Sequence, residues 1–513
     1  MNFMVPGSLA RLIARAFDEL DRKGSVFMLP ARKFASRDLL PDTSVEIHGH
    51  RAGAPLGISA GPHTQLAQNI LLGWLGGARV FELKTVQALD SLTISRPCID
   101  ARSLTLNVEW SQELKIEQSA EEYVKASMLI DIFSEYLGVE RDSLFDLSVG
   151  YDYEGISGER MRAFILRMKD ARTLVDELRS ELPPLWRGLE FETAIASTVT
   201  LSTFHGCPVG EIERIADFLM ADMGLDCTIK LNPTLLGAAD VHAILREQLG
   251  YTSVRVPSSA FEKDPDWVQA VAIVERLQQR AEELGRSFAI KLTNTLLVEN
   301  GSDFLPPAEK YAYLSGPPLH VLAMHLVQRF RNAFGTKLPI SFSAGIDRFN
   351  YPDAVRLGLA PITVCTDLLK QGGYGRLQSY GSELASRMDA AGAKTIAEFA
   401  RAAHDEIEPY VQSLATNRRY QCDPRQRSLN RERPTLTVED CSCCDLCIGV
   451  CPNAAILTVP SASARYQIVI IDDWCNDCGN CETFCPDNGA PNRVKPRVAL
   501  DSSSDPGSTG AEV

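Results

Sequence analysis

Residues 199–231 read VTLSTFHGCPVGEIERIADFLMADMGLDCTIKL. A short apolar run, Val199–Thr203, gives way to a loop with Gly206 and Pro208. An amphipathic stretch, Val209–Met223, follows, and then a second β-rich run, Thr228–Leu231. Strand, loop, helix, strand is the repeating unit of a parallel sheet, whose strands need a crossover of this length. The same unit recurs outward in both directions. Strand-like runs stand at Pro55–Ala60, Arg79–Lys84 and Leu144–Val149 before it, and at Phe288–Leu292, Pro339–Phe342 and Ile362–Cys365 after it. Helix-like segments such as Asp266–Leu284 lie between. Eight strands alternating with helices predict an α/β fold, a (β/α)8 TIM barrel with insertions. A doubly wound open sheet is the competing architecture. No strand is followed by a glycine-rich dinucleotide fingerprint, and Gly372-Gly-Tyr-Gly375 lacks its spacing.

The second informative stretch is richer in cysteine. Nine of the fourteen cysteines fall between Cys441 and Cys485. They read Cys441-Ser-Cys-Cys444-Asp-Leu-Cys447-Ile-Gly-Val-Cys451-Pro452 and Cys475-Asn-Asp-Cys478-Gly-Asn-Cys481-Glu-Thr-Phe-Cys485-Pro486. Both match the bacterial ferredoxin spacing, in which three thiolates wrap one cluster and the fourth reaches across to the other. One 4Fe–4S cluster is therefore expected on Cys441, Cys444, Cys447 and Cys485, and a second on Cys451, Cys475, Cys478 and Cys481. Zinc also takes four thiolates, but it needs neither this spacing twice over nor the prolines. Cys443 falls off the pattern.

These signals divide the chain into a helical extension (1–44), the barrel (45–415), an Arg-rich linker (416–435), a small α+β ferredoxin-type domain with two 4Fe–4S clusters (436–498) and a tail of disordered composition (499–513). The formal net charge of −14 argues against a nucleic-acid binder and is compatible with small-molecule chemistry or a basic partner surface. Nothing resembles a signal peptide, and apolar runs such as that from Ile70 are too short to span a bilayer, so a cytoplasmic protein without membrane attachment is expected.

Chemistry in a barrel sits at the carboxyl ends of its strands. Those ends carry Ser59-Ala60-Gly61-Pro62-His63, Lys84-Thr85, Ser202-Thr-Phe-His205-Gly-Cys207-Pro208, Lys230-Leu-Asn232-Pro233, Lys291-Leu-Thr293-Asn294-Thr295, Ser343-Ala-Gly345 and Cys365-Thr366, with Asn107-Val-Glu109 in the loop after strand two. Taken singly, each is weak; a lone cysteine such as Cys207 is usually inert packing. Together, three lysines (Lys84, Lys230, Lys291) and several amides converging on one mouth would attract an anionic cofactor or ring.

This set resembles the FMN-binding domain of the dihydroorotate and dihydropyrimidine dehydrogenases, through Asn107-Val-Glu109, Lys84-Thr85, Lys230-Leu-Asn232-Pro233, Thr293-Asn294-Thr295, Ser343-Ala-Gly345 and Cys365-Thr366. Ala60-Gly-Pro-His-Thr-Gln-Leu-Ala-Gln-Asn69, Thr203-Phe-His-Gly-Cys-Pro208 and Lys230-Leu-Asn-Pro-Thr-Leu-Leu-Gly237 are more closely similar to a family described as selenate reductase subunits. The resemblance implies FMN held by Ala60, Gly61, Lys84, Thr85, Asn107, Lys230, Thr293, Gly345 and Thr366. It implies a small N-heterocyclic substrate met by Asn107, Glu109, Asn232, Asn294 and Thr295, with Cys207 as proton donor and His205 as the fallback. Long members of that family carry an FAD and NAD(P)H module between barrel and ferredoxin end, and none is present here. An FAD/NAD(P)H-dependent reductase subunit or a ferredoxin is therefore the expected electron partner. The reading that follows is an FMN- and iron–sulfur-dependent oxidoreductase acting on a CH–CH or related bond. A non-catalytic electron-transfer subunit is the alternative, in which the barrel is only a scaffold.

Overall fold

The computed structural model describes residues 4–500 except 36–40, 87, 89–92, 103, 109–111, 204–208, 424–433 and 463. Eight parallel strands close into a barrel: β1 Leu56–Ile58, β2 Val80–Glu82, β3 Leu144–Val149, β4 Thr198–Ser202, β5 Asp226–Leu231, β6 Phe288–Leu292, β7 Ile340–Phe342 and β8 Ile362–Val364. Each pairs with its neighbours in sequence, and β8 closes on β1 through Ile362↔Leu56 and Val364↔Ile58. The eight runs read from sequence are these strands, within two residues at either end. The alternating pattern of β3 shows how the sequence builds the wall. Phe145, Leu147 and Val149 join the apolar layer beneath the helices, while Asp146 turns inward to accept from the Thr198 and Thr200 hydroxyls of β4.

Two parts of the structure differ from the sequence reading. The stretch Val209–Met223 is not one helix: a 310 turn (Val209–Glu211), an α-helical segment (Ile212–Asp217) and a π-helical turn (Phe218–Asp222) follow one another. Its apolar spacing serves all three windings. Asn107 is not in a loop but ends a strand, Thr105–Asn107, in a four-stranded antiparallel sheet with Ile99–Asp100, Tyr311–Ser315 and Leu296–Glu299. That sheet forms part of the wall around the carboxyl-end mouth, contributing Ile99, Thr105, Asn107, Tyr313 and Ser315.

The helix Leu9–Lys23 packs on the barrel through Phe17, whose ring stacks on Phe133 and Trp186. Ser8 caps it, and Arg15 lies over both Phe27 and Trp474, so the N-terminal segment also holds the C-terminal module. That module has an antiparallel pair, Ile456–Val459 and Gln467–Ile471, extended by Arg497–Val498, with short helices at Leu446–Val450 and Asn480–Phe484. It lies directly on the barrel: a Cβ on Gly373, after β8, would stand 1.8 Å from the Gly449 carbonyl oxygen. No described helix is long and apolar enough to cross a membrane.

Buried histidines make the fold sensitive to acid. His48 bonds Ser287 and Thr228 at the amino-terminal end of the barrel, and His320 bonds the Ala344 carbonyl and Tyr410. Burial lowers His48 and His320 each to about 4 and His63 to about 3. Below the ordinary value of 6.5 the unfolded chain takes up protons that the folded chain refuses, so this stability is present above pH 6.5 and is lost as pH falls toward 4. Each histidine can contribute on the order of 3 kcal/mol to the loss. Urea unfolding between pH 7 and 4 should show the decline, and His320→Gln should make it shallower; an unchanged slope would refute the assignment.

Candidate functional site

The carboxyl-end mouth is a cleft of about 1320 Å³, counting the space open to solvent. Its lining includes Ala60, Gly61, Lys84, Thr85, Asn107, Lys230, Thr293, Asn294, Thr295, Gly345 and Thr366, all read from the sequence as site residues. Asn232 does not line it. Its amide donates to Asp264 at 2.8 Å and its oxygen accepts from Asn294 at 2.8 Å, so it orients Asn294 from behind. Glu109, His205 and Cys207 lie outside the described residues. Ser202, five positions before Cys207, is on the rim.

One carboxylate organises the floor. Glu82 is buried and receives Lys230 Nζ on Oε1 at 2.9 Å and Lys291 Nζ on Oε2 at 2.7 Å. Burial pushes its carboxyl up, but the two ammonium groups outweigh burial and hold it at about 2. It is a fixed anion. Lys291 also donates to Thr363 at 2.8 Å and is absent from the mouth lining. It lines the inner cavity below instead, with Asp146 and His48, which corrects the sequence expectation of three lysines at the mouth. Two lysines reach it: Lys230, and Lys84, which burial lowers to about 8 against the opposing pull of Cys365 and Glu113.

Other parts of the cleft lining are neutral and rich in hydroxyls. Ser315 and Thr366 hydroxyls are 3.0 Å apart, and the Thr105 hydroxyl is buried without a partner. Gly345 has φ +53°, and a Cβ there would come within 2.3 Å of the Gly316 carbonyl oxygen. Only glycine lets the two backbones pack this closely, and a backbone in this left-handed conformation can turn N–H groups toward an anion. Thr105, Ser315 and Gly316 were not read from the sequence. Their signal, an unpaired hydroxyl beside a left-handed glycine, exists only after three distant segments meet.

The cysteines gather in two sets. Cys441, Cys444, Cys447 and Cys485 surround a small cavity of about 340 Å³, together with Cys443, Asp487 and Lys495 and, among the described residues, none of the barrel. Cys443, which falls off the spacing, also borders it. Burial and the neighbouring thiols of this set raise Cys447. Cys481 is likewise raised by burial and by Cys475 and Cys451. Among the described residues, no three His, Cys, Asp or Glu side chains are close enough to share a single metal ion. A four-iron cube carries an iron at each ligated corner and spreads its thiolates wider than one ion would.

The second set touches the cleft wall. The N–H groups of Cys98 and Ile99 both donate to the Cys478 carbonyl at 3.1 Å, and Ile99 lines the mouth. The Asn480 amide donates to the carbonyls of Leu369, also in the mouth lining, and Val450, each at 2.8 Å. Tyr374 donates to the Pro452 carbonyl at 2.8 Å.

Comparison with known proteins agrees with the architecture. The family described as "Oxidoreductase YgfK, N-terminal TIM-barrel domain" matches residues 27–422. The Putative oxidoreductase YgfK of Escherichia coli K12 is 38% identical over 409 residues, as is its counterpart in Escherichia coli O157:H7. The alignment covers 75% of this chain and 39% of each relative, so the chain spans well under half the length of these proteins. A ligand-free DHODH from Eimeria tenella superposes with a TM-score of 0.47 at 15% identity, covering 71% of this chain and 92% of that one. The match is to an oxidoreductase family, and the narrower label of selenate reductase subunit is not carried by it. The chain belongs to the YgfK oxidoreductase family, whose N-terminal TIM-barrel domain accounts for residues 27–422.

Proposed function

We propose that the chain is an FMN- and iron–sulfur-dependent oxidoreductase that exchanges a hydride with an activated C=C or C=N bond of a small N-heterocycle. The observation that carries this reading is the mixed lining of one cleft. It holds two buried lysines, Lys84 and Lys230, together with the Ser315 and Thr366 hydroxyls, the unpartnered Thr105 hydroxyl and the left-handed Gly345. A molecule with an electron-accepting ring and a phosphate fits that set of groups. Bound there, FMN would supply hydride transfer, and two 4Fe–4S clusters on the eight spaced cysteines would supply single electrons.

The residues have distinct tasks. Lys84 and Lys230 hold positive charge at the ring end, which favours added negative charge on a bound ring. Glu82 keeps Lys230 in place. Thr105, Ser315 and Thr366 offer hydroxyls, and Gly345 offers backbone, to the phosphate, as barrel loops after strands seven and eight often do. Asn107, Asn294 and Thr295 hydrogen-bond the heterocycle, with Asn232 fixing Asn294 and Glu109 as a further contact. Cys207 donates the proton to the atom beside the reacting carbon, and His205 is the fallback donor. Contacts through Ile99 and Leu369 support electron exchange between the set Cys451, Cys475, Cys478, Cys481 and the mouth, with a reductase subunit or a ferredoxin supplying the other set.

Acid release of flavin from anaerobically purified protein should give one FMN, with about eight iron atoms and matching sulfide. Gly345→Val should lose the FMN and keep the iron. Clusters without flavin, even after soaking with FMN, would sink the enzyme reading in favour of the electron-transfer subunit.

Cys207→Ala should keep flavin and iron while slowing turnover of a reducible N-heterocycle by roughly two orders of magnitude or more. Unchanged turnover would move the donor role to His205 or elsewhere.

A further inference from the structure

A loop of the barrel lies against the inner cysteine set and brings a charge with it. Arg96 donates through Nη1 to Cys98 Sγ at 2.8 Å and is ion-paired through Nη2 with Glu113. Cys98, two residues on, is the residue whose N–H caps the Cys478 carbonyl. Glu113 in turn accepts from the Asn476 amide at 2.7 Å, in the loop between Cys475 and Cys478. Arg96 is three-quarters buried by its side chain and Glu113 more so, so neither charge is fully screened by water. Within the module, the corresponding charges are Arg497, which bonds Asp472 and Asp477, and Asp477 itself, 3.7 Å from Cys475 Sγ. The cavity among the outer set is bordered by Asp487 and Lys495 and, among the described residues, by none of the barrel.

We infer that Arg96 is a positioning residue that raises the reduction potential of the inner cluster, the one held by Cys451, Cys475, Cys478 and Cys481, with Glu113 setting how much of that charge the cluster feels. The inference rests on the cluster assignment proposed above. The physical reason is direct. On reduction the cluster gains one electron and one unit of negative charge, and no bond forms or breaks. A cation held nearby in a poorly screened site favours the more negative form, whereas an anion disfavours it. Because Arg96 belongs to the barrel and not to the cysteine module, the potential of the inner cluster depends on the module being seated.

The test is a potentiometric titration of the whole chain with dithionite and mediator dyes, each cluster followed by its EPR signal, with iron and sulfide measured in every variant. In Arg96→Gln, the reduced-to-oxidised ratio of the inner cluster at a fixed potential should fall about tenfold, equivalent to 59 mV for a one-electron couple. The outer cluster should be unmoved. Arg96→Lys should restore most of the wild-type value. Glu113→Gln should shift the inner cluster the opposite way, which a merely loosened loop would not do. Two loaded clusters whose potentials stay fixed in Arg96→Gln, or move together, would overturn the inference. Wild-type protein without iron and sulfide would overturn the cluster reading beneath it.

Discussion

Glu82 receives two ammonium groups in the middle of the barrel, and the character of the whole interior follows from that contact. TIM-barrel interiors are usually packed with branched apolar side chains. Here the equivalent space holds Glu82, Lys230, Lys291, Asp146, Thr198, Thr200, Ser341 and Thr363. An unpaired charge in such a place would lose most of its hydration with no return. Two ammonium groups meeting on one carboxylate are both anchored. Lys230 can then present its charge to the mouth without the freedom to fold away. The contact is weak evidence for stability as such, since buried ion pairs often break even against apolar packing. Its value lies in fixing where a cation stands.

Above this floor, the cleft lining mixes two buried ammonium groups with neutral hydroxyls. The antiparallel sheet that carries Thr105, Asn107, Tyr313 and Ser315 closes one side. The cysteine-rich module backs another from behind, where the Cys478 carbonyl accepts from Ile99 N–H and the Asn480 amide donates to the Leu369 carbonyl.

Much of this was legible in the sequence, for identifiable reasons. Barrel strands such as Leu144–Val149 and Phe288–Leu292 are short runs with strong β character, set between amphipathic segments, and they stand out without any tertiary information. Strand ends then follow, and with them most of the cleft lining. The antiparallel sheet was not legible because its members are short and pair across long separations: Leu106 meets Leu314. Lys291 misled for a different reason. It lies beside Lys230 in register, and only the path of the side chain decides that one reaches the mouth while the other turns to Thr363. Asn232 misled because Asp264, which claims its amide, lies on a distant loop.

The N-terminal clamp has a consequence for biosynthesis. Val5 donates its N–H to the Asp473 carbonyl, Gly7 lies against Trp474, and Arg15 covers the same indole. Residues ahead of the barrel therefore wait for a segment beyond it before their own packing is complete. A nascent chain can close the barrel early, but the helix Leu9–Lys23 keeps one face unfinished until the cysteine-rich segment emerges. That delay leaves an interval in which the cysteine-rich segment is reachable before the helix settles against it.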